Sequence, residues 1–135
     1  MKTTLEKVLI LKSAPMFSEI AEDQLAALAR VTREIEAAPQ EPIITEGETG
    51  ESMYIIAEGA VQISAQGRVL AVLGPKEVFG ELAVLDPEPR SATAIALENC
   101  LLYEISESAL YELMAEAPQI ARGIIRVLCR RLRSR

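Results

Sequence analysis

Glu81 and Arg90 bracket the stretch of this sequence best equipped to hold a small charged ligand, Val78–Ala96, VFGELAVLDPEPRSATAIA. Arg90 offers a planar, permanently charged fork that suits a phosphate. Ionised, Glu81 only accepts hydrogen bonds, so it suits sugar hydroxyls rather than the phosphate itself. Gly80 lets the backbone approach a ligand closely and adopt angles that other residues avoid. A short helical turn opening near Glu81 would aim unpaired backbone N–H groups at an anion. Asp86-Pro87-Glu88-Pro89 then breaks the chain ahead of Arg90, and the small residues Ser91 and Ala92 follow it. A phosphate and a ribose hydroxyl held about one turn apart describe a nucleotide. The bland alternative is a surface ion pair between the two charges.

Composition narrows the classes further. The chain has 135 residues, half of them apolar, enough for a real core. No run reaches the ~18 apolar residues of a membrane span, and the opening residues lack the apolar centre of a signal peptide. The absence of histidine removes the commonest general base and most metal sites, so no catalytic residue and no metal ligand is assigned. Cys100 and Cys129 form neither a disulfide framework nor a ligand pattern, which points to a reduced, cytoplasmic setting. The net charge of −6 is unevenly placed. All twenty acidic residues precede residue 118, whereas six of the fourteen basic ones, all arginine, follow 117. An acidic protein repels phosphates at long range, so any phosphate site must be local.

The elements that must position the site run helix, strand, helix. Residues 4–12 place Leu5, Val8, Leu9 and Leu11 near one stripe, with Thr4 as N-cap. Met16, Phe17 and Ile20 form an apolar knot before a second helix, Glu22–Ile35, with Leu25, Leu28, Ala29 and Thr32 at helical spacing. From about 42 the grammar changes to short strands and turns. Ser52–Ala57 and Ala60–Ser64 read as a hairpin about Glu58-Gly59, and Gln66-Gly67 turns into Arg68–Leu73. Strands at 91–97 and 100–105 follow Arg90. This spacing argues for a β-sandwich or barrel. Helices resume from about 106 to 116 and again after Pro118, where Gly123 marks a candidate hinge. Ile120, Ile124, Val127 or Leu128, and Leu132 share one side of that last helix; Arg122, Arg126, Arg130 and Arg133 lie near another.

The segment FGELAVLDPEPRSATAIA is similar to the phosphate-binding cassette of cyclic nucleotide-binding domains of the catabolite-activator and cAMP-dependent-kinase type. The resemblance implies a mainly β fold, an eight-stranded antiparallel jelly-roll barrel with two N-terminal and two C-terminal helices. It implies one domain over 1–135: helices in 1–38, the β-roll in 39–105 with its cassette at 79–92, and helices in 106–135. By the same resemblance Arg90 takes the cyclic phosphate and Glu81 the ribose 2′-hydroxyl. Phe79, Gly80, Leu82, Ala83, Pro89, Ser91 and Ala92 line the pocket. The ligand is cAMP or cGMP, with cAMP ahead, although Ser91 suits either. No other cofactor is implied. In members of the family a residue from the barrel or the last helix often covers the base, sometimes an aromatic; none follows Tyr111 here, leaving Arg122, Ile125 or Arg126 as the purine lid.

The arginine-rich end admits three readings: a solvated helix face, a homodimer or output-domain contact along its apolar stripe, or a nucleic-acid site. An acidic domain without interleaved aromatics argues against nucleic acid. Eighteen residues after 117 leave no room for a helix-turn-helix, so a transcriptional regulator of this type would be represented by a piece. Rival functions are a metal-dependent jelly-roll enzyme, which the lack of histidine disfavours, and an interaction domain that has lost its nucleotide. The reading adopted is a regulatory module that binds a cyclic nucleotide, performs no chemistry, and passes occupancy through its last helices to a partner.

Overall fold

A computed structural model describes residues 2–134; Met1 and Arg135, the last of the six arginines, lie outside them. The chain divides into two compact units, a helical one (Met1–Thr32 with Ser108–Arg135) and a β unit (Arg33–Glu107).

In the helical unit, α1 (Thr4–Ser13) is capped by Thr3 rather than Thr4. Thr3 Oγ1 accepts from the Glu6 backbone N–H while Glu6 accepts from the Thr3 N–H, a reciprocal capping box. Only Val8 and Leu11 of the expected stripe are buried; Leu5 and Leu9 are exposed. After a 3₁₀ turn (Pro15–Phe17), α2 spans Glu22–Val31 and buries Leu25, Leu28 and Ala29. It stops four residues before the expected Ile35. Thr32 leaves the helical region (ψ 131°) and its hydroxyl donates back to Leu28 O at 2.8 Å, a local bond that competes with helix continuation. The apolar knot of Met16, Phe17 and Ile20 is fully formed.

α3 (Glu107–Glu116) and α4 (Pro118–Arg133) close the chain. α4 buries Ile120, Gly123, Ile124 and Val127 but leaves Leu132 exposed, which corrects the expected stripe. Gly123 is no break in α4. It is a close-approach point, since a β-carbon there would lie 3.2 Å from Ile20 Cγ1. Glu19 clasps the same helix through Arg130 Nη1 (2.7 Å) and Arg126 Nη1 (3.8 Å).

The β unit holds eight antiparallel strands: β1 (Arg33–Ala37), β2 (Pro42–Ile44), β3 (Ser52–Glu58), β4 (Val61–Ala65), β5 (Arg68–Leu73), β6 (Val78–Phe79), β7 (Thr93–Ala96) and β8 (Cys100–Ser106). They form two four-stranded sheets, ordered β1-β8-β3-β6 and β2-β7-β4-β5. Tyr54, Ile56, Val61, Phe79, Ala94 and Leu102 are central to the core between them. The expected hairpin of β3 with β4 is absent, because the two strands belong to different sheets. Gly59 (φ +102°) makes the corner, pressed so close to Asn99 O and Cys100 that no side chain fits. Period-two alternation reveals a strand but not its sheet. The β4–β5 hairpin does form, over Gln66 and Gly67, both at positive φ as a type I′ turn requires.

Candidate functional site

The cassette begins where β6 ends. Gly80 sits in the left-handed region (φ +72°) and opens the 3₁₀ turn Glu81–Val84, the helical turn expected from the sequence. Ala83 and Val84 are buried and the turn packs on β3, whereas Leu82 points outward and Glu81 is half-buried. Phe79 does not open onto solvent. It lies in the core, its ring stacked on Tyr54 with centroids 5.2 Å apart.

Beyond the turn, the Asp86–Arg90 arm is stitched to the loop between β2 and β3. Arg90 N donates to Glu48 O (2.7 Å), Gly47 N to Arg90 O (2.8 Å) and Gly50 N to Glu88 O (3.3 Å), with a bridge between Thr49 and Pro89. The Arg90 backbone is thus held from both sides. Its side chain is equally fixed: Nη2 donates to Ser52 O at 2.8 Å, and the guanidinium lies against Gly50 and Gly80. A β-carbon at Gly80 would come within 2.7 Å of Nη1, and one at Gly50 would overlap Nε and Cζ. Two glycines therefore make the space that Arg90 fills.

Among the described residues the Arg90 guanidinium forms no ion pair, although it is half-buried. Its charge is oriented and uncancelled, which is what an anion receptor needs. A cleft of about 160 Å³ opens beside it, lined by Arg90, Thr45, Glu48, Ser52 and Tyr54 among others. Of the expected site residues only Arg90 lines this cleft. Gly80 meets the guanidinium directly, Pro89 and Ser91 are exposed, and Ala92 is half-buried. Arg122, Ile125 and Arg126 stand on α4 in the helical unit. Ile125 is exposed, and Arg126 is engaged by Glu19.

Gly50, Ser52 and Tyr54 were not legible as site residues. Ser52 and Tyr54 fall in the expected strand Ser52–Ala57, and nothing beside Gly50 in the chain marks it. Tyr54 carries the largest electrostatic perturbation at the site. Burial pushes its phenol up to about 12, helped by the charge and hydrogen bond of Glu104, whereas Arg90 and Arg33 pull the other way.

Among the described residues, no helix is long and apolar enough to cross a membrane, and no cluster of histidine, cysteine or carboxylate side chains could hold a metal ion.

Comparison with known proteins agrees with this geometry. Residues 34–117 match the family model described as the cyclic nucleotide-binding domain. A CRP-like cAMP-activated global transcriptional regulator of Mycobacterium tuberculosis is 33% identical over 129 residues, which cover 92% of this chain and 58% of that protein. The chain therefore spans less than two thirds of that relative's length. Among solved structures, the N-terminal domain of a transcriptional regulator from Streptomyces coelicolor superposes with a TM-score of 0.89 at 32% identity, covering 93% of both chains. The regulatory domain of Toxoplasma gondii PKA, solved with cAMP, gives a TM-score of 0.77 at 29% identity over 84% of this chain and 46% of that one. The relatives are regulators, and the fold is their jelly roll. On the cassette, the two-sheet roll and these matches together, the chain belongs to the cyclic nucleotide-binding domain family.

Proposed function

We propose that this chain is a regulatory module that binds cAMP, ahead of cGMP, at the Gly80–Arg90 cassette and performs no chemistry. The observation that carries the reading is the Arg90 guanidinium, anchored on Ser52 O against Gly80 without a carboxylate partner among the described residues. An anionic phosphodiester supplies the missing countercharge. Glu81 accepts from the ribose 2′-hydroxyl, and the backbone at Gly80, Leu82 and Ala83 with Pro89, Ser91 and Ala92 completes the pocket. Phe79 supports that pocket from the core. The adjoining cleft, about 160 Å³, is smaller than the roughly 300–1,000 Å³ of sites that bury a whole drug-sized ligand. Arg122, Ile125 and Arg126 are accordingly proposed as the purine cover.

Occupancy passes through residues 106–135 to a homodimer partner or an output domain, in the cytoplasmic setting expected from cysteine usage. A ligand can bias such an equilibrium only by its different affinity for the two arrangements. Support for cAMP comes from relatives, one described as cAMP-activated and one solved with cAMP.

The test is calorimetric titration of cAMP and cGMP into wild type and Arg90→Ala. Micromolar or tighter binding, about −8 kcal/mol, that disappears in the variant is the expected result. A folded wild type that binds neither nucleotide would sink the reading and leave an interaction domain in its place. Hydrogen exchange in 106–135 that is identical with and without bound ligand would remove the transmission step alone.

A further inference from the structure

Across the sheet ordered β1-β8-β3-β6, four residues from its four strands stand directly opposite one another. Arg33 faces Glu104, Glu104 faces Tyr54, and Tyr54 faces Phe79. A side-chain contact joins every step. Arg33 Nη1 lies 3.3 Å from Glu104 Oε1, and the Tyr54 hydroxyl donates to Glu104 Oε2 at 3.0 Å. The Tyr54 ring stacks on Phe79 with an interplanar angle of 17°. Glu104 thus spends one oxygen in each direction. Arg33 is exposed, Glu104 retains 15% side-chain exposure, and Tyr54 and Phe79 are buried.

The end of this row is where the cassette departs. β6 is only two residues long and meets β3 through two pairs, Tyr54 with Phe79 and Ile55 with Val78. So short an edge strand has little ladder of its own, and cross-strand side-chain packing must fix it. Phe79 is followed at once by Gly80, the left-handed residue that sets the course of the Glu81–Val84 turn. A stacked ring can only brace Phe79 if it is itself held. The Tyr54 hydroxyl provides that hold through Glu104, and Arg33 keeps Glu104 in place.

We propose that the row Arg33–Glu104–Tyr54–Phe79 positions the cassette, setting the direction in which Gly80–Val84 leaves the sheet. Arg33, Glu104 and Tyr54 are positioning residues that act through Phe79. The consequence for ligand affinity rests on the cyclic-nucleotide reading above; the ordering of the cassette does not.

The experiment is amide hydrogen exchange on the ligand-free full chain for wild type, Arg33→Ala, Tyr54→Phe and the double variant, followed by cAMP titration of each. Tyr54→Phe keeps the stacked ring and removes the hydroxyl. Arg33 is exposed, and an exposed charge contributes little to global stability, so Arg33→Ala should melt where wild type melts. Both single variants should speed exchange in 79–85 by about twofold or more, the low end of coupling within one hydrogen-bonded network. The double variant should add little beyond Tyr54→Phe, because the links act in series, and cAMP affinity should fall by a similar factor. Unchanged exchange in 79–85 in the single variants would overturn the proposal. So would an acceleration spread evenly over β3 and β8, which is the signature of a merely structural role. Faster cassette exchange in a protein that binds no cAMP would uphold the row and refute the ligand assignment instead.

Discussion

The Arg90 guanidinium occupies the space in which a side chain at Gly50 would have to stand. Gly50 has no positive φ to protect, and its smallness makes the room that Arg90 fills. Gly50→Ala should therefore fold and displace the guanidinium, which sits at the far end of a flexible side chain. Charge-assisted hydrogen bonds contribute about 1.5–3 kcal/mol each, so cyclic-nucleotide affinity should fall tenfold or more by calorimetry. Gly74→Ala, with open space around it, is the control that should leave affinity unchanged.

Alkaline pH should weaken the β unit through Tyr54. Folded, its phenol keeps its proton up to about 12, whereas the unfolded chain releases it near the ordinary 10. The contribution to stability is complete below pH 10 and drains away as pH rises from 10 toward 12. Denaturant titrations of wild type and Tyr54→Phe across that window should diverge, with the steeper decline in wild type. Parallel curves would refute the assignment.

Acid should loosen the helical unit through Glu19. The Arg130 hydrogen bond, aided by the charges of Arg130 and Arg126 and opposed by partial desolvation, holds the Glu19 carboxyl below its ordinary 4.5. That stabilisation is present above 4.5 and is lost as pH falls through the lower folded value. Glu19→Gln should flatten the pH dependence of the thermal midpoint as pH falls below 4.5.

Gly123 should resist the usual benefit of helix-favouring substitution. Glycine to alanine in an open helix gains about 1 kcal/mol. Here the new β-carbon would meet Ile20 Cγ1 at 3.2 Å and Glu19 O at 3.4 Å, which cancels the gain. Gly123→Leu overpacks the same contact and should cost about 1–3 kcal/mol by urea denaturation.

What the sequence made legible followed the range of the interactions involved. The cassette could be read because its chemistry is local: Gly80, the turn after it and the small residues beyond Arg90 are neighbours in the chain. The start of the second helix at Glu22, its buried Leu25, Leu28 and Ala29, and the Met16–Phe17–Ile20 knot were equally plain, but its end, expected at Ile35, falls at Val31. Arg33–Ala37 was not, because REIEA continues an acidic, helix-compatible pattern and becomes a strand only by pairing with Cys100–Glu104. The partition of β3 and β4 between sheets depends on Gly59 meeting Asn99 and Cys100, some forty residues further on. Gly50 and Tyr54 stayed hidden for the same reason. Their roles are defined by Arg90, Glu104 and Phe79, which no short window contains. Leu5, Leu9 and Leu132 show the converse error, apolar spacing without burial.

The ties between Arg90 and the β2–β3 loop also bear on how the chain folds. Arg90 and Ser52 are 38 residues apart in sequence, and the backbone bonds to Gly47 and Glu48 span still more. Contacts of such separation carry a loop-closure cost that is met only once the intervening strands have paired. A nucleotide that binds only where Arg90 and the β2–β3 loop have met binds the folded chain and not the unfolded one, and so raises apparent stability by mass action.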